Sequence, residues 1–215
     1  MRNPRNFPFL LFLLLFSQFL LVAIAEFQEL GTTTRIELYQ NATAKWTFVK
    51  KINLTDTEQV QGFEQFMKEQ NMNITGLIED FSSRFSSIVN RSSALTGRAM
   101  KAYGFNISFG ITPTLTGGNL GLITYSFLWQ GFARKADSKL VIGDVFEGGF
   151  YLFQGDRLII DLPENYSVSA ISPSPDQSMA NEITWFGRRV FESGRPSIEL
   201  KSKVVNVTLY ASKYK

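Results

Sequence analysis

This sequence predicts an α+β fold: an antiparallel β-rich sandwich or sheet with two amphipathic helices packed against it. Three observations carry the prediction. Apolar residues alternate with polar ones over residues 34–52, then recur at three and four over 55–93. From Tyr103 onward, short alternating runs are separated by glycine, proline and asparagine turns. The first run reads as two strands, with Ile36 and Leu38 on one, Trp46 and Phe48 on the other, and Gln40-Asn41-Ala42-Thr43 as the turn.

The helical stretch divides in two. Thr55-Asp56-Thr57-Glu58 has the form of a capping box, with Thr55 as the cap and Glu58 reaching back, and Val60, Phe63, Phe66 and Met67 follow on one face. Ile74, Leu77, Ile78, Phe81, Phe85, Ile88 and Val89 form a cleaner stripe opposite Glu79, Asp80 and Arg84. This second helix is expected to end over residues 90–93, with Gly97 in the loop beyond. Its polar face is too weakly basic for a membrane-surface helix, so the stripe is assigned to the domain's own sheet. Strands are then expected over 105–109, 122–132, 140–145, 151–153, 157–162, 167–171, 182–186 and 204–210. Gly148-Gly149, Gln154-Gly155-Asp156 and Pro163-Glu164-Asn165 supply turns between them.

Residues 1–25 read as a signal peptide. Arg2 and Arg5 form a basic start, residues 7–22 are apolar except for Pro8, Ser17 and Gln18, and Ala23-Ile24-Ala25 offers a cleavage pattern. The rival reading is an N-terminal anchor, the only route by which the chain would meet a membrane, because a helix over 7–25 approaches the ~30 Å of a bilayer core. Residues 26–33 are expected to form a short stalk and 34–215 a single extracytoplasmic domain. Seven of the twelve asparagines open N-x-S/T sequons: Asn41, Asn53, Asn73, Asn90, Asn106, Asn165 and Asn206. Chance would place about two there, given the 34 Ser and Thr residues of the chain, so the pattern points to an exported, N-glycosylated, cell-surface or secreted protein.

Composition narrows the chemistry. Without Arg2 and Arg5, 20 basic residues face 19 acidic ones, a net charge of +1 that gives no case for nucleic acid. Lys50-Lys51 and Arg188-Arg189 are expected to be solvated. The chain has no cysteine and no histidine, which removes thiol catalysis, zinc-thiolate sites and the Ser-His-Asp triad. Carboxylates, Lys, Tyr and Ser remain. No cofactor is implied, and no catalytic residue is assigned.

Three constellations carry candidate function. Trp129, Tyr151 and Trp185 would stack on sugar rings if they faced outward, and would fill the core if they did not. Asp144 and Glu147, three apart beside Gly148-Gly149, could contribute to a hard-cation site, though a polar strand end with a glycine turn accounts for them equally, and no metal is assigned. A glycosidase would need two acids across a cleft, for which Asp144, Glu147, Asp156 and Asp161 are available. The expectation is a non-enzymatic binding or sensing module for an envelope protein or polymer. The alternatives are an envelope-carbohydrate hydrolase and a purely structural surface protein.

Several segments resemble an uncharacterised extracytoplasmic domain of archaeal membrane-associated proteins. They are Ala42-Thr43-Ala44-Lys45-Trp46-Thr47, Thr96-Gly97-Arg98-Ala99-Met100, Tyr125-Ser126-Phe127-Leu128-Trp129-Gln130-Gly131-Phe132 and Gly143-Asp144-Val145-Phe146-Glu147-Gly148-Gly149. Trp185-Phe186-Gly187 and Gly194-Arg195-Pro196 continue the pattern, which spans residues 35–200. Some proteins of this kind carry a C-terminal transmembrane helix and a winged-helix domain, which implies sensing or surface display. The sequence up to Lys215 shows neither pattern, so direct signalling to DNA is not expected of it. The resemblance carries over no catalytic residue.

Overall fold

A computed structural model describes residues 27–115 and 117–203. The signal or anchor segment, the strand expected over 204–210 and Asn206 lie outside the described residues. Strands β1 (Gln28–Leu38) and β2 (Ala44–Leu54) form the expected hairpin. The Asn41 side chain accepts the Thr43 N–H at 3.0 Å and Ala42 takes the left-handed conformation, φ 70°. Strand β1 begins well inside the segment expected as a stalk, pairing Gln28 with Asn53. The run Gln28-Glu29-Leu30-Gly31-Thr32-Thr33 shows no apolar alternation because a bulge between Glu29 and Gly31 breaks its period.

Two helices follow, α1 (Thr57–Met72) and α2 (Ile74–Thr96). The capping box is present but one residue later than the sequence suggests. Asp56 accepts the Gln59 N–H at 2.8 Å, and the Gln59 side chain accepts the Thr55 N–H at 2.9 Å. Helix α2 also outruns its expected end and stops at Gly97, whose φ of 65° closes the last turn. Thr96 and Ser93 support that turn by donating to the carbonyls of Ser92 and Arg98.

Strands β3 (Lys101–Pro113) and β4 (Asn119–Gln130) lead to a run of short strands. These are β5 (Arg134–Ala136), β6 (Lys139–Ile142), β7 (Phe150–Leu152), β8 (Arg157–Asp161), β9 (Tyr166–Ser172), β10 (Gln177–Met179), β11 (Glu182–Phe186), β12 (Arg189–Phe191) and β13 (Ser197–Ser202). Among the described residues they build a seven-stranded sheet in the order β10-β11-β8-β1-β2-β4-β3 and a four-stranded sheet in the order β5-β6-β13-β9, with β12 and β7 as a two-stranded ribbon. Pairing is antiparallel except between β1 and β8, which run parallel. Strands β5, β10, β12 and β13 were not expected, and three of them are only three residues long.

The period-two pattern separates the two faces of the large sheet. Ala44, Trp46, Phe48, Lys50, Ile52 and Leu54 of β2 are buried, and so are Gly121, Ile123, Tyr125, Phe127 and Trp129 of β4. Phe81 and Phe85 of α2 pack on this inner face, their ring centroids 5.3 Å from Tyr125 and 5.6 Å from Phe48 respectively. Beyond the helices, Leu140 and Ile142 of β6 and Ile198 and Leu200 of β13 close the same core, and Trp185 meets Phe191 edge-on. Burial of each large side chain contributes about 1.5–3 kcal/mol, which is how a domain with ten buried phenylalanines and no cysteine holds together. The outer face is different: Lys45, Thr47, Val49, Lys51 and Asn53 of β2 are all only half-buried. No helix among the described residues is long and apolar enough to cross a membrane.

Candidate functional site

Segments far apart in sequence meet at one end of the core. Trp46 of β2 is the centre, 5.8 Å from Trp129, 5.5 Å from Phe132 and 6.2 Å from Phe146 between ring centroids. Beside it, Arg98, just past the end of α2, makes a four-point clamp. It donates to both carboxylate oxygens of Asp144 at 2.7 and 3.0 Å, to the Gly131 carbonyl at 2.8 Å and to the Phe132 carbonyl at 3.0 Å. Gly131 has φ 74°, and a Cβ there would lie 2.5 Å from the Ala99 carbonyl oxygen, so only glycine lets these backbones approach. The Trp129 indole N–H points at the Met100 sulfur, and the Ala133 N–H at the Ala42 carbonyl. Gly194 donates to the Phe146 carbonyl at 2.8 Å, which ties the later Gly194-Arg195-Pro196 segment to the same place. Segments that carry the family resemblance, residues 42–47, 96–100, 125–132, 143–149 and 194–196, are therefore joined as packing partners, with glycine and a planar guanidinium where backbones converge.

That arrangement assigns the sequence-derived candidates. Trp129 and Trp185 are 1% and 0% exposed, so neither stacks on a sugar ring in this fold; both belong to the core. Tyr151 is half-buried on the β7–β12 ribbon, 4.7 Å from Phe153 and opposite exposed Val190. Asp144 is held by Arg98, whereas Glu147 is exposed with no hydrogen-bond partner among the described residues. No group of three Asp or Glu side chains that could hold a metal ion occurs among the described residues.

The other acids have structural partners. Asp156, buried, accepts the N–H groups of Thr32 at 2.8 Å and Phe153 at 2.9 Å, anchoring the turn before β8 to the β1 bulge. Burial pushes its carboxyl above the usual range, and the two N–H groups partly offset that. Asp161 is also raised by burial, against the opposing effect of Arg35, which bonds it at 2.7 Å and Glu182 at 3.0 Å. Raised carboxyls can mark catalytic sites, but Asp156 and Asp161 stand five residues apart along the chain, about 16 Å at strand rise, well beyond a glycosidase pair. Asp161 and Glu182 are cross-strand neighbours, and both are engaged by the same guanidinium.

Six of the seven sequon asparagines are among the described residues. Asn41, Asn73, Asn90, Asn106 and Asn165 are exposed. Asn53 is half-buried on the outer sheet face and donates to the Gln28 side chain at 3.3 Å. Lys50 and Lys51 were both expected to be solvated, but the strand sends them to opposite faces. Lys50 is buried beside Glu29 at 3.0 Å, while Lys51 lies half-buried on the outer face. Two groups had no assigned role in the sequence reading: Arg98, although it lies within a recurring segment, and the cation pair Lys51 and Arg157. Only strand register brings that pair together.

No curated protein matches the chain. Among solved structures, one from Parabacteroides distasonis described as a "putative protease" is similar at 9% identity, with a TM-score of 0.27. The likeness covers 82% of this chain and 40% of that one, and at this score it carries no argument about fold or activity. A domain of unknown function, DUF7345, matches residues 35–166, which take in the Trp46 cluster and both partners of the Arg98–Asp144 clamp. The chain belongs to the DUF7345 family, an extracytoplasmic domain of membrane-associated proteins.

Proposed function

We propose that the chain is a non-enzymatic, N-glycosylated binding module of the cell envelope whose partner is an envelope polymer. One observation carries this reading: the motifs that carry the resemblance are engaged in packing, while strands β1, β2 and β4 keep an outer face of half-buried polar and aliphatic side chains. A sheet face of this kind offers alternating side chains to an extended chain lying across it. The exposure of Asn41, Asn73, Asn90, Asn106 and Asn165 supports modification, because a glycan must stay solvated. The engagement of Asp144, Asp156 and Asp161 by Arg98, backbone N–H groups and Arg35 argues against the hydrolase alternative, which needs a free carboxylate pair.

Two measurements test the proposal. Intact mass of the protein from its native envelope fraction should show the loss of residues 1–25 and several glycans. Cosedimentation of the purified protein with isolated, insoluble envelope polymer should deplete it from solution. An unmodified mass would remove the glycoprotein reading. Full recovery of the protein in the supernatant would remove polymer binding, and release of reducing ends from the polymer would bring the hydrolase reading back.

A further inference from the structure

Charge on the outer sheet face is uneven. Strands β1, β2 and β8 place four cations there: Arg35, Lys45, Lys51 and Arg157. Toward the Asn41 turn, Lys45 is 3.4 Å from Glu37, and Arg35 reaches Asp161 and Glu182. Toward the opposite end, Lys51 and Arg157 have no carboxylate partner among the described residues. Lys51 stands opposite Gly31 and Arg157 opposite Thr33, on either side of β1. Two strand spacings and two residues of rise put their Cα atoms about 12 Å apart, within reach of each other's long side chains.

Gly31 adds no side chain of its own between the two cations: at φ 113° a Cβ would lie 2.5 Å from the Gly155 carbonyl carbon, because the turn before β8 packs its backbone against this residue. The Arg157 guanidinium lies 5.4 Å from the centroid of the Phe186 ring, which orients it without neutralising it. Burial, and after it the charge of Arg157, holds Lys51 below the ordinary lysine range. Two like charges are thus kept close together with no carboxylate partner among the described residues.

We propose that Lys51, Arg157 and Phe186 form a binding site for an anionic polysaccharide carrying sulfate or uronate groups. The site rests on the polymer-binding reading above and names its ligand class. A strand of sugars can lie along a sheet face and reach the exposed Arg157 together with the half-buried Lys51, whereas a planar bilayer meets edges and loop tips first. Nucleic acid needs a run of cations, and this face offers two unpaired ones on its central strands. Asn53 lies two residues from Lys51 on the same face, and its half-buried side chain, bonded to Gln28, is the least accessible of the six described sequon asparagines.

The test uses the full mature glycoprotein and titrates dextran sulfate, polygalacturonate, neutral dextran and phosphatidylglycerol vesicles by calorimetry. The charged polysaccharides should bind, neutral dextran should not, and affinity should fall steeply as salt rises from about 50 to about 500 mM. Lys51→Ala/Arg157→Ala should lose at least about tenfold in affinity, while Lys139→Ala, which removes a paired cation on the other sheet, should bind as wild type. To separate loss of binding from loss of fold, a sulfated disaccharide added to wild type should move the Lys51 side-chain NMR signals more than those of Lys45. The site is overturned if the double variant binds with undiminished affinity, if neutral dextran binds equally, if vesicles bind more tightly than the polysaccharides, or if Lys51 does not move. Undiminished binding of envelope polymer by the double variant would leave polymer binding standing without this site; no binding of wild type to any polymer would remove both.

Discussion

Removing Asp144 separates a structural carboxylate from a functional one. Its two oxygens take two charge-assisted hydrogen bonds from Arg98, at 2.7 and 3.0 Å. Such bonds contribute about 1.5–3 kcal/mol when shielded, but the Asp144 side chain is 36% exposed and that of Arg98 19%, so solvent screening places this pair at the lower end. Asp144→Ala should therefore cost about 1–2 kcal/mol, a fall of about 2–8 °C in Tm for a domain of this size. Arg98→Ala should cost more, about 2–4 kcal/mol, because the carbonyls of Gly131 and Phe132 lose their donor as well. Glu147→Ala, at an exposed residue without a described partner, should stay within about 0.5 kcal/mol of wild type. Urea unfolding followed by tryptophan fluorescence reads all three, since Trp46 and Trp129 lie beside the clamp. The double variant should show coupling between Arg98 and Asp144 of about 1 kcal/mol or more. A neutral or stabilising Asp144→Ala would refute the reasoning, because a carboxylate held for metal or catalysis is relieved, not missed, when it is removed.

Three further outcomes follow from the geometry. Glycopeptide mapping of native protein should find Asn41, Asn73, Asn90, Asn106 and Asn165 occupied well ahead of Asn53, and full occupancy of Asn53 would contradict its placement. Gly121→Ala should cost about 1–3 kcal/mol, because its Cβ would stand 2.8–2.9 Å from three atoms of the fully buried Phe63 ring, whereas Gly110→Ala meets nothing within 4 Å and should be nearly neutral in the same urea titration. Asp156→Asn should destabilise at neutral pH by about 1–2 kcal/mol, since an amide accepts from only one of the Thr32 and Phe153 N–H groups while turning its own N–H toward the other. Because the folded carboxyl of Asp156 is raised, the folded state binds more protons between the ordinary carboxylate range and the raised value. Wild type should then lose stability relative to Asp156→Asn as pH rises through that window. The opposite slope would mean that the two N–H donors outweigh burial.

What the sequence disclosed and what it hid follow from the range of each interaction. Local patterns were legible: β2 and β4 alternate without interruption, and the α2 stripe needs only its own neighbours. The misplacements were local competitions too close to settle from residue type. Asp56 caps α1 ahead of Thr55 because both can accept, and α2 runs on to Thr96 because Gly97 rather than Asn90 supplies the left-handed residue. Non-local facts left no trace. The parallel docking of β8 on β1 and the pairing of β13 with β6 arise from residues more than 50 positions apart, and β10 and β12 are too short to show a period. Aromatic content could not reveal that Trp129 and Trp185 face inward while Tyr151 stays half-buried.

The same distinction bears on what membership of the family can mean. Residues 35–166 match, and the segments within that span that carry the resemblance are the ones that meet at Trp46, Arg98, Asp144 and Gly131. Such positions tolerate little change for reasons of packing: a Cβ at Gly131 would strike a backbone oxygen, and Arg98 without Asp144 would leave a partly buried charge. A signature built from them defines a fold and does not define a ligand. Ligand choice must then reside in side chains that the fold merely carries, on the outer sheet face, where a lysine and an arginine can be gained or lost without disturbing the core. Proteins sharing the Trp46 node should accordingly differ most at positions such as Lys51 and Arg157. Transplanting those two cations onto a relative with neutral residues there should transfer anionic-polysaccharide binding, at a small cost in stability set by the burial of the lysine and the repulsion of the arginine.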